Sequence, residues 1–169
     1  LSGFASAGQR CSALRILCVQ EDIAERLIAL LDGAMQELSL GDPSLPSTDV
    51  GPVIDETAQS GLLGHIERMR EHAKVLAQTP LPEQTAKGFF VPPTAIEIQR
   101  IDQIGREQFG PIIHLLRYKA RDLDKLIDQI NNAGYGLTLG VHSRNESTAA
   151  HIEARARVGN TYVNRNQIG

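Results

Sequence analysis

A chain of 169 residues, 41% of them apolar, is long enough to bury one sizeable domain. Its formal net charge of -3 offers no bulk attraction to a phosphate backbone, and 4% aromatics with no Trp leave little for bases to stack on. Nucleic acid is therefore set aside as a partner. No apolar run approaches the ~18 residues that cross a bilayer, and no charged leader with a cleavage site opens the sequence. Two cysteines, Cys11 and Cys18, are too few for a disulfide scaffold. With the five histidines scattered, no zinc-ligand spacing forms. We expect free thiols, a reducing cytoplasmic setting and no metal site.

Taken in order, Ile16 to Val19 (ILCV) predicts a strand. Asp22 and Glu25 resemble a mutually capped helix start. Ile23, Leu27, Leu30, Leu31, Ala34 and Leu38 then recur at helical spacing and predict one buried stripe, stopped by Gly41-Asp42-Pro43. Residues 41–52 read as loop. A second long helix is predicted from about Thr57 to Ala77, with Leu62, Ile66, Met69 and Ala73 inward. Gln78 to Lys87 reads as polar loop. Phe89 to Ile98 reads as extended, and Pro92-Pro93 argue against a central strand there. Ile112 to Leu116 predicts a strand. Leu123, Leu126, Ile127 and Ile130 predict a helix ending near Asn131-Asn132. Leu137–Val141 predicts a strand, Glu146–Arg155 a helix and Thr161–Asn164 a strand. The alternation in the second half predicts an α/β fold, an open, mostly parallel sheet with flanking helices.

Two stretches can carry chemistry. In Ala7-Gly8-Gln9-Arg10-Cys11-Ser12 a lone thiol follows a glycine that lets the backbone turn sharply. A nucleophilic thiol needs exposure and a nearby cation or helix N-terminus. Arg10 adjoins it, and Ser12 can donate a hydrogen bond. The competing reading is a small residue packed beside a strand, and inside ILCV that reading prevails for Cys18. In Glu107-Gln108-Phe109-Gly110-Pro111 a carboxylate and an aromatic precede a turn into a strand. A carboxylate at a sheet end can accept from ribose hydroxyls, and Phe109 can pack on a flat ring. The competing reading is a loop charge and a core aromatic. Gly134-Tyr135-Gly136 reads as a helix-to-strand connection, with no dinucleotide fingerprint around it. His65 and His72, seven apart, are read as sharing a broad helical face, and the histidines are given surface or packing roles. Arg155 and Arg157 are read as solvated or interfacial.

Together, GQRC, EQFGP, NNAGYGLTLGVHS and GNTYVNRNQIG resemble the aldehyde dehydrogenase superfamily, in the family's order and over essentially the whole chain. SAGQRCSALR and GNTYVNRNQIG are similar to its delta-1-pyrroline-5-carboxylate dehydrogenase branch, including members joined to a proline dehydrogenase. The resemblance implies that residues 1–169 are a thiol-bearing catalytic-domain segment and that the cofactor-binding domain lies upstream. It implies NAD-dependent oxidation of L-glutamate γ-semialdehyde to L-glutamate in proline catabolism. Cys11 matches the catalytic thiol, whose main-chain N–H stabilises the oxyanion. Glu107 matches the residue that holds the nicotinamide ribose, and Phe109 the aromatic beside the nicotinamide. Ser12 matches a position that receives the substrate's carboxylate. The general-base glutamate and the oxyanion asparagine would precede Leu1, and the substrate-anchoring loop would follow Gly169. FAD would belong only to a separate proline dehydrogenase part. The longer protein would form homo-oligomers and could meet the inner face of the membrane peripherally. We therefore expect a fragment that is inactive alone, binds NAD weakly, and leaves open a sheet edge or apolar face for the longer protein to cover.

Overall fold

The computed structural model describes residues 2–168. Ten main elements follow in order: β1 (Ile16–Gln20), α1 (Glu21–Gln36), α2 (Glu56–Arg70), β2 (Lys74–Gln78), β3 (Thr94–Ile98), β4 (Ile112–Tyr118), α3 (Leu123–Asn132), β5 (Thr138–Val141), α4 (Glu146–Arg155) and β6 (Asn160–Val163). Four strands form a sheet in the order β1-β4-β3-β2. β4 is parallel to both its neighbours, and β2 is antiparallel on β3. β5 and β6 form a separate parallel pair. The expected α/β architecture, open and mostly parallel, is thus observed as a fragment. Among the described residues β1 is an edge, paired on one side only. Among the described residues no helix is long and apolar enough to cross a membrane.

β4 explains why the sheet holds. Its first five residues are all buried, as a central parallel strand covered on both faces requires. Strand alternation sends Leu115 to the side where Val19 and Ala24 pack, with Leu27 and Ile28 of α1 beside them. His114 points to the opposite face, where α2 supplies His65. The sheet is therefore sandwiched between α1 and α2.

Several expectations need correction. The buried stripe of α1 runs through Ala24 and Met35, with Leu27, Ile28 and Leu31 beside it, whereas Ile23 and Leu30 are exposed. The predicted stripe was rotated by about one residue. Glu25 makes no cap: it pairs with Arg117, while Gln20 bonds Asp22 at the helix start. α2 stops at Arg70, so residues 74–78 are a strand rather than helix. Helix-forming residues in that stretch are overridden by pairing with β3. β3 is an inner strand after all, because Pro92 and Pro93 stand just before it. There the Pro93 carbonyl accepts from Thr79 N–H, and the missing proline N–H costs the ladder nothing. Part of the predicted loop before it forms a short turn of 3-10 helix, Glu83–Lys87. His72 lies beyond the end of α2, exposed, and does not share the face of His65.

His65 and His114 are both fully buried, with Nε2 to Nε2 at 2.8 Å. Arg68 Nη2 lies 3.1 Å from His65 Nδ1, and a guanidinium only donates. His65 therefore carries its proton on Nε2 and gives it to His114 Nε2. His114 is protonated on Nδ1, 3.1 Å from the Arg15 carbonyl. Burial pushes both imidazoles down to about 4, with Arg68 and Arg106 adding to the effect at His65; at His114 the neighbouring His65 adds to it, and the hydrogen bond to the Arg15 carbonyl opposes it.

The left-handed conformation of Gly8 (φ +65) brings its backbone against Gly110. A Cβ on Gly8 would stand 2.0 Å from the Gly110 carbonyl oxygen, and a Cβ on Gly110 would stand 2.5 Å from the Leu62 side chain. The thiol loop, the EQFGP turn and α2 are thus packed as three layers with no room for a methyl group.

Two outcomes follow. The unfolded chain binds protons on both histidines below about pH 6.5, and the folded chain resists until about pH 4. Stability is therefore full above 6.5 and falls through that window by up to about 1.4 kcal/mol per pH unit for each imidazole. Chemical denaturation across pH 4 to 7 should show this slope, and His65→Leu with His114→Leu should flatten it. Gly8→Ala should destabilise the fold by about 3 kcal/mol or more, since backbone atoms must move. An unchanged denaturation midpoint would refute that contact.

Candidate active site

Cys11 lies in the loop between a short 3-10 turn, Ala5–Gly8, and β1. Ser6, Ala7 and Gly8 are all left-handed, with φ of 55°, 52° and 65°. For the two non-glycine residues this costs roughly 1–2 kcal/mol each, so the surroundings must enforce it. They do: Gln9 N–H donates to the Ser6 carbonyl at 3.1 Å, and Gln9 Oε1 accepts from Ile54 N–H at 2.9 Å. Leu14 N–H closes the loop onto the Ser2 carbonyl at 2.8 Å. The chain then turns at Arg10, whose carbonyl accepts from Ala13 N–H. The result is an exposed Cys11 whose own N–H donates to no acceptor among the described residues. Arg10 points back along its own loop, with Nε 3.1 Å from Ser6 Oγ. Half-buried Ser12 offers its carbonyl to Gln167 Nε2 at 3.2 Å, which draws the end of the chain to the thiol loop.

Cys18, seven residues on, has a different fate. It packs against the main apolar core, and burial pushes its thiol up to about 12. One of the two thiols is presented on a loop, and the other, half-buried within β1 along the same cleft, is held in its neutral form.

The Glu107–Pro111 turn enters β4 as the thiol loop enters β1. β1 and β4 are adjacent and parallel, so the two loops meet at one edge of the sheet. That edge is the amino end of these strands, opposite to the carboxyl-end crevice of an ordinary open α/β sheet. Glu107 and Cys11 line the same cleft of about 1090 Å³, whose other wall includes Tyr135, Thr138 and Gln167. Tyr135 reaches across it, its hydroxyl 3.3 Å from Glu107 N–H. Phe109 is 45% exposed and stands outside that lining.

Sequence reasoning missed Arg15, the residue that joins these parts. Its Nε donates to Glu107 Oε1 at 3.1 Å, and its Nη2 to the Arg10 carbonyl at 3.0 Å. Its Nη1 donates to the Gly8 carbonyl. The guanidinium lies 4.5 Å over the Phe109 ring. Nothing local distinguishes Arg15 as the residue before a strand, because its partner is 92 residues away. Arg155, read as solvated or interfacial, pairs with Asp124 and Asp128 on α3.

The comparisons bear on the whole chain. The model of the aldehyde dehydrogenase family matches residues 1–169. Bifunctional protein PutA of Klebsiella aerogenes is 47% identical over 173 residues, covering 99% of this chain and 13% of that protein. The 1-pyrroline-5-carboxylate dehydrogenase of Geobacillus kaustophilus is 34% identical over 170 residues, covering 99% of this chain and 32% of that protein. Among solved structures, a variant of Bradyrhizobium japonicum proline utilization A superposes with a TM-score of 0.94 at 50% identity, over 99% of this chain and 17% of that one. PnpE in complex with nicotinamide adenine dinucleotide superposes with a TM-score of 0.88 at 28% identity, over 96% of this chain and 34% of that one. The chain thus spans about an eighth of the PutA relative and a third of the shorter dehydrogenase. Sequence and backbone agree from one end to the other, and the chain belongs to the aldehyde dehydrogenase family.

Proposed function

We propose that this chain supplies the thiol-bearing part of a dehydrogenase that oxidises L-glutamate γ-semialdehyde to L-glutamate with NAD, as one step of proline breakdown. The observation that carries the reading is the exposed Cys11, whose N–H is unbonded among the described residues, locked beside the Glu107 turn. The substrate class follows from relatives named PutA and 1-pyrroline-5-carboxylate dehydrogenase.

Cys11 Sγ attacks the aldehyde carbonyl carbon and forms a thiohemiacetal. The Cys11 N–H donates to the oxygen as it gains charge, at no reorganisation cost, because among the described residues it has no other acceptor to leave. After oxidation the resulting thioester is released as the acid by water. Ser12 receives the carboxylate at the far end of the substrate. NAD, when bound, supplies the hydride acceptor. The residues present fit its nicotinamide end. Glu107 Oε1 is taken by Arg15, but Oε2 accepts nothing among the described residues and is available to ribose hydroxyls. Phe109 keeps an exposed ring beside it.

The remaining parts of the site belong, in this reading, to a longer polypeptide: an upstream cofactor domain, a general base, an asparagine for the oxyanion and a loop that anchors the substrate. FAD has its place only in a separate proline dehydrogenase part. That longer protein is a homo-oligomer and meets the inner face of the membrane peripherally.

The test is NADH formation by a polypeptide of the relatives' length that carries this segment. Glutamate semialdehyde should be preferred over simple aldehydes. Activity on simple aldehydes alone would keep the thiol chemistry and replace the substrate, and no activity at all would sink the reading. Cys11→Ser should lower kcat by about 1,000-fold or more. The 169 residues alone should give no useful rate. In either form, iodoacetamide should alkylate Cys11 at least about 100 times faster than Cys18, read by peptide mass mapping.

A further inference from the structure

We propose that Arg15 is a positioning residue that sets the Glu107 carboxylate and the Cys11 loop in one frame, so that NAD meets a carboxylate already aimed. This deepens the reading above and rests on Glu107 as the ribose-binding group.

Every nitrogen of the Arg15 guanidinium is in use. Nε holds Glu107, Nη1 holds the Gly8 carbonyl and Nη2 holds the Arg10 carbonyl. The two carbonyls lie three residues and one residue before Cys11, so a single rigid plane ties the approach to the thiol to the carboxylate. One face of that plane lies on Phe109. The ion pair is shielded, with side-chain exposures of 14% for Arg15 and 24% for Glu107. Holding Oε1 from one side leaves Oε2 as the oxygen presented to a ligand.

The arginine is fixed from behind as well. Its carbonyl accepts twice from His114, from the main-chain N–H at 2.9 Å and from Nδ1–H at 3.1 Å. His114 is held by His65, and His65 by Arg68. The position of Arg15 is therefore set by both the strand pairing and the buried imidazoles. A lysine could keep the charge but not the three-way fork, since its ammonium is a compact point on a flexible stem. Arg15→Lys is accordingly the informative variant: it keeps the cation beside Glu107 and loses the plane.

The experiment is a double-mutant cycle in a polypeptide of the relatives' length, with Arg15→Lys, Glu107→Gln and both. The readout is the NAD dissociation constant from titration calorimetry without aldehyde, with the melting temperature measured alongside. Arg15→Lys should weaken NAD by about 5-fold, and the double variant should bind no worse than Glu107→Gln alone, because coupled residues are not additive. Equal weakening by Arg15→Lys in both backgrounds would make Arg15 a general structural support and overturn the proposal. So would unchanged NAD affinity in Arg15→Lys while Glu107→Gln binds weakly, and in that case the reading of Glu107 would stand. Unchanged affinity in Glu107→Gln would remove the ribose-binding role and this proposal with it. If Arg15→Lys fails to fold, Arg15→Gln, which keeps a planar donor, takes its place in the same cycle with the same criteria.

Discussion

The backbone of Gly8 rests on the backbone of Gly110, and the rest of the site is built on that contact. Two loops far apart in the chain can approach so closely only where neither carries a side chain. Once they do, the carbonyls of Gly8 and Arg10 and the carboxylate of Glu107 all fall within reach of one guanidinium. The left-handed run from Ser6 to Gly8 is the local cost of that approach. It is offset by hydrogen bonds that fix the loop on every side: Gln9 to Ile54, Leu14 to Ser2, and Arg15 across the middle. Backbone strain beside a presented nucleophile persists only when surroundings over-determine it, and here they do.

The sheet explains why these two loops are the ones that meet. β1 and β4 are parallel neighbours, so the segments leading into them must share an edge. The buried run of β4 places it in the interior, and β1 falls to the outside of it. The cleft then opens beside the unpaired edge of β1, with the β5–β6 pair across from it. Placing the thiol at the amino end of the strands has a further effect. Cys11 precedes its strand on a loop that can leave it exposed, while Cys18 sits within the strand, half-buried, with its thiol pushed up.

Much of this was legible in the residues. The helices from Leu123 and from Glu146 lie where the sequence predicts them: the first needs only its local apolar spacing, and the structure adds that Asn145 caps the second by accepting from Ser147 and Thr148 N–H. The stretch 74–78 was not legible, since its residues favour helix and only the neighbouring strand makes it extended. The rotated stripe of α1 has the same origin. Ala24 and Met35 are chosen over Ile23 and Leu30 by how the helix lies on the sheet, not by hydrophobicity. At the site, Cys11 and Glu107 are each visible as unusual residues in short motifs, but Arg15 is not. Its importance lies in tying the thiol loop to the turn that carries Glu107 and Phe109, 92 residues on in the case of Glu107, and no local window contains both.

The buried histidine pair belongs to the same scaffold. An apolar pair would have filled the space between α2 and β4 without the desolvation that two imidazoles incur. What imidazoles add is direction. Burial keeps both rings neutral, helped at His65 by the charges of Arg68 and Arg106 and at His114 by the neighbouring His65. Two neutral rings joined nitrogen to nitrogen share one bonding proton, and Arg68 decides which way it points. The proton left on His114 Nδ1 has one destination, the carbonyl of Arg15. An α2 arginine thereby helps to fix a carbonyl at the start of β1, whose side chain in turn holds the carboxylate before β4. The order of the site is carried by directional bonds through the core, which is why it can stay in place while one edge of the sheet remains open.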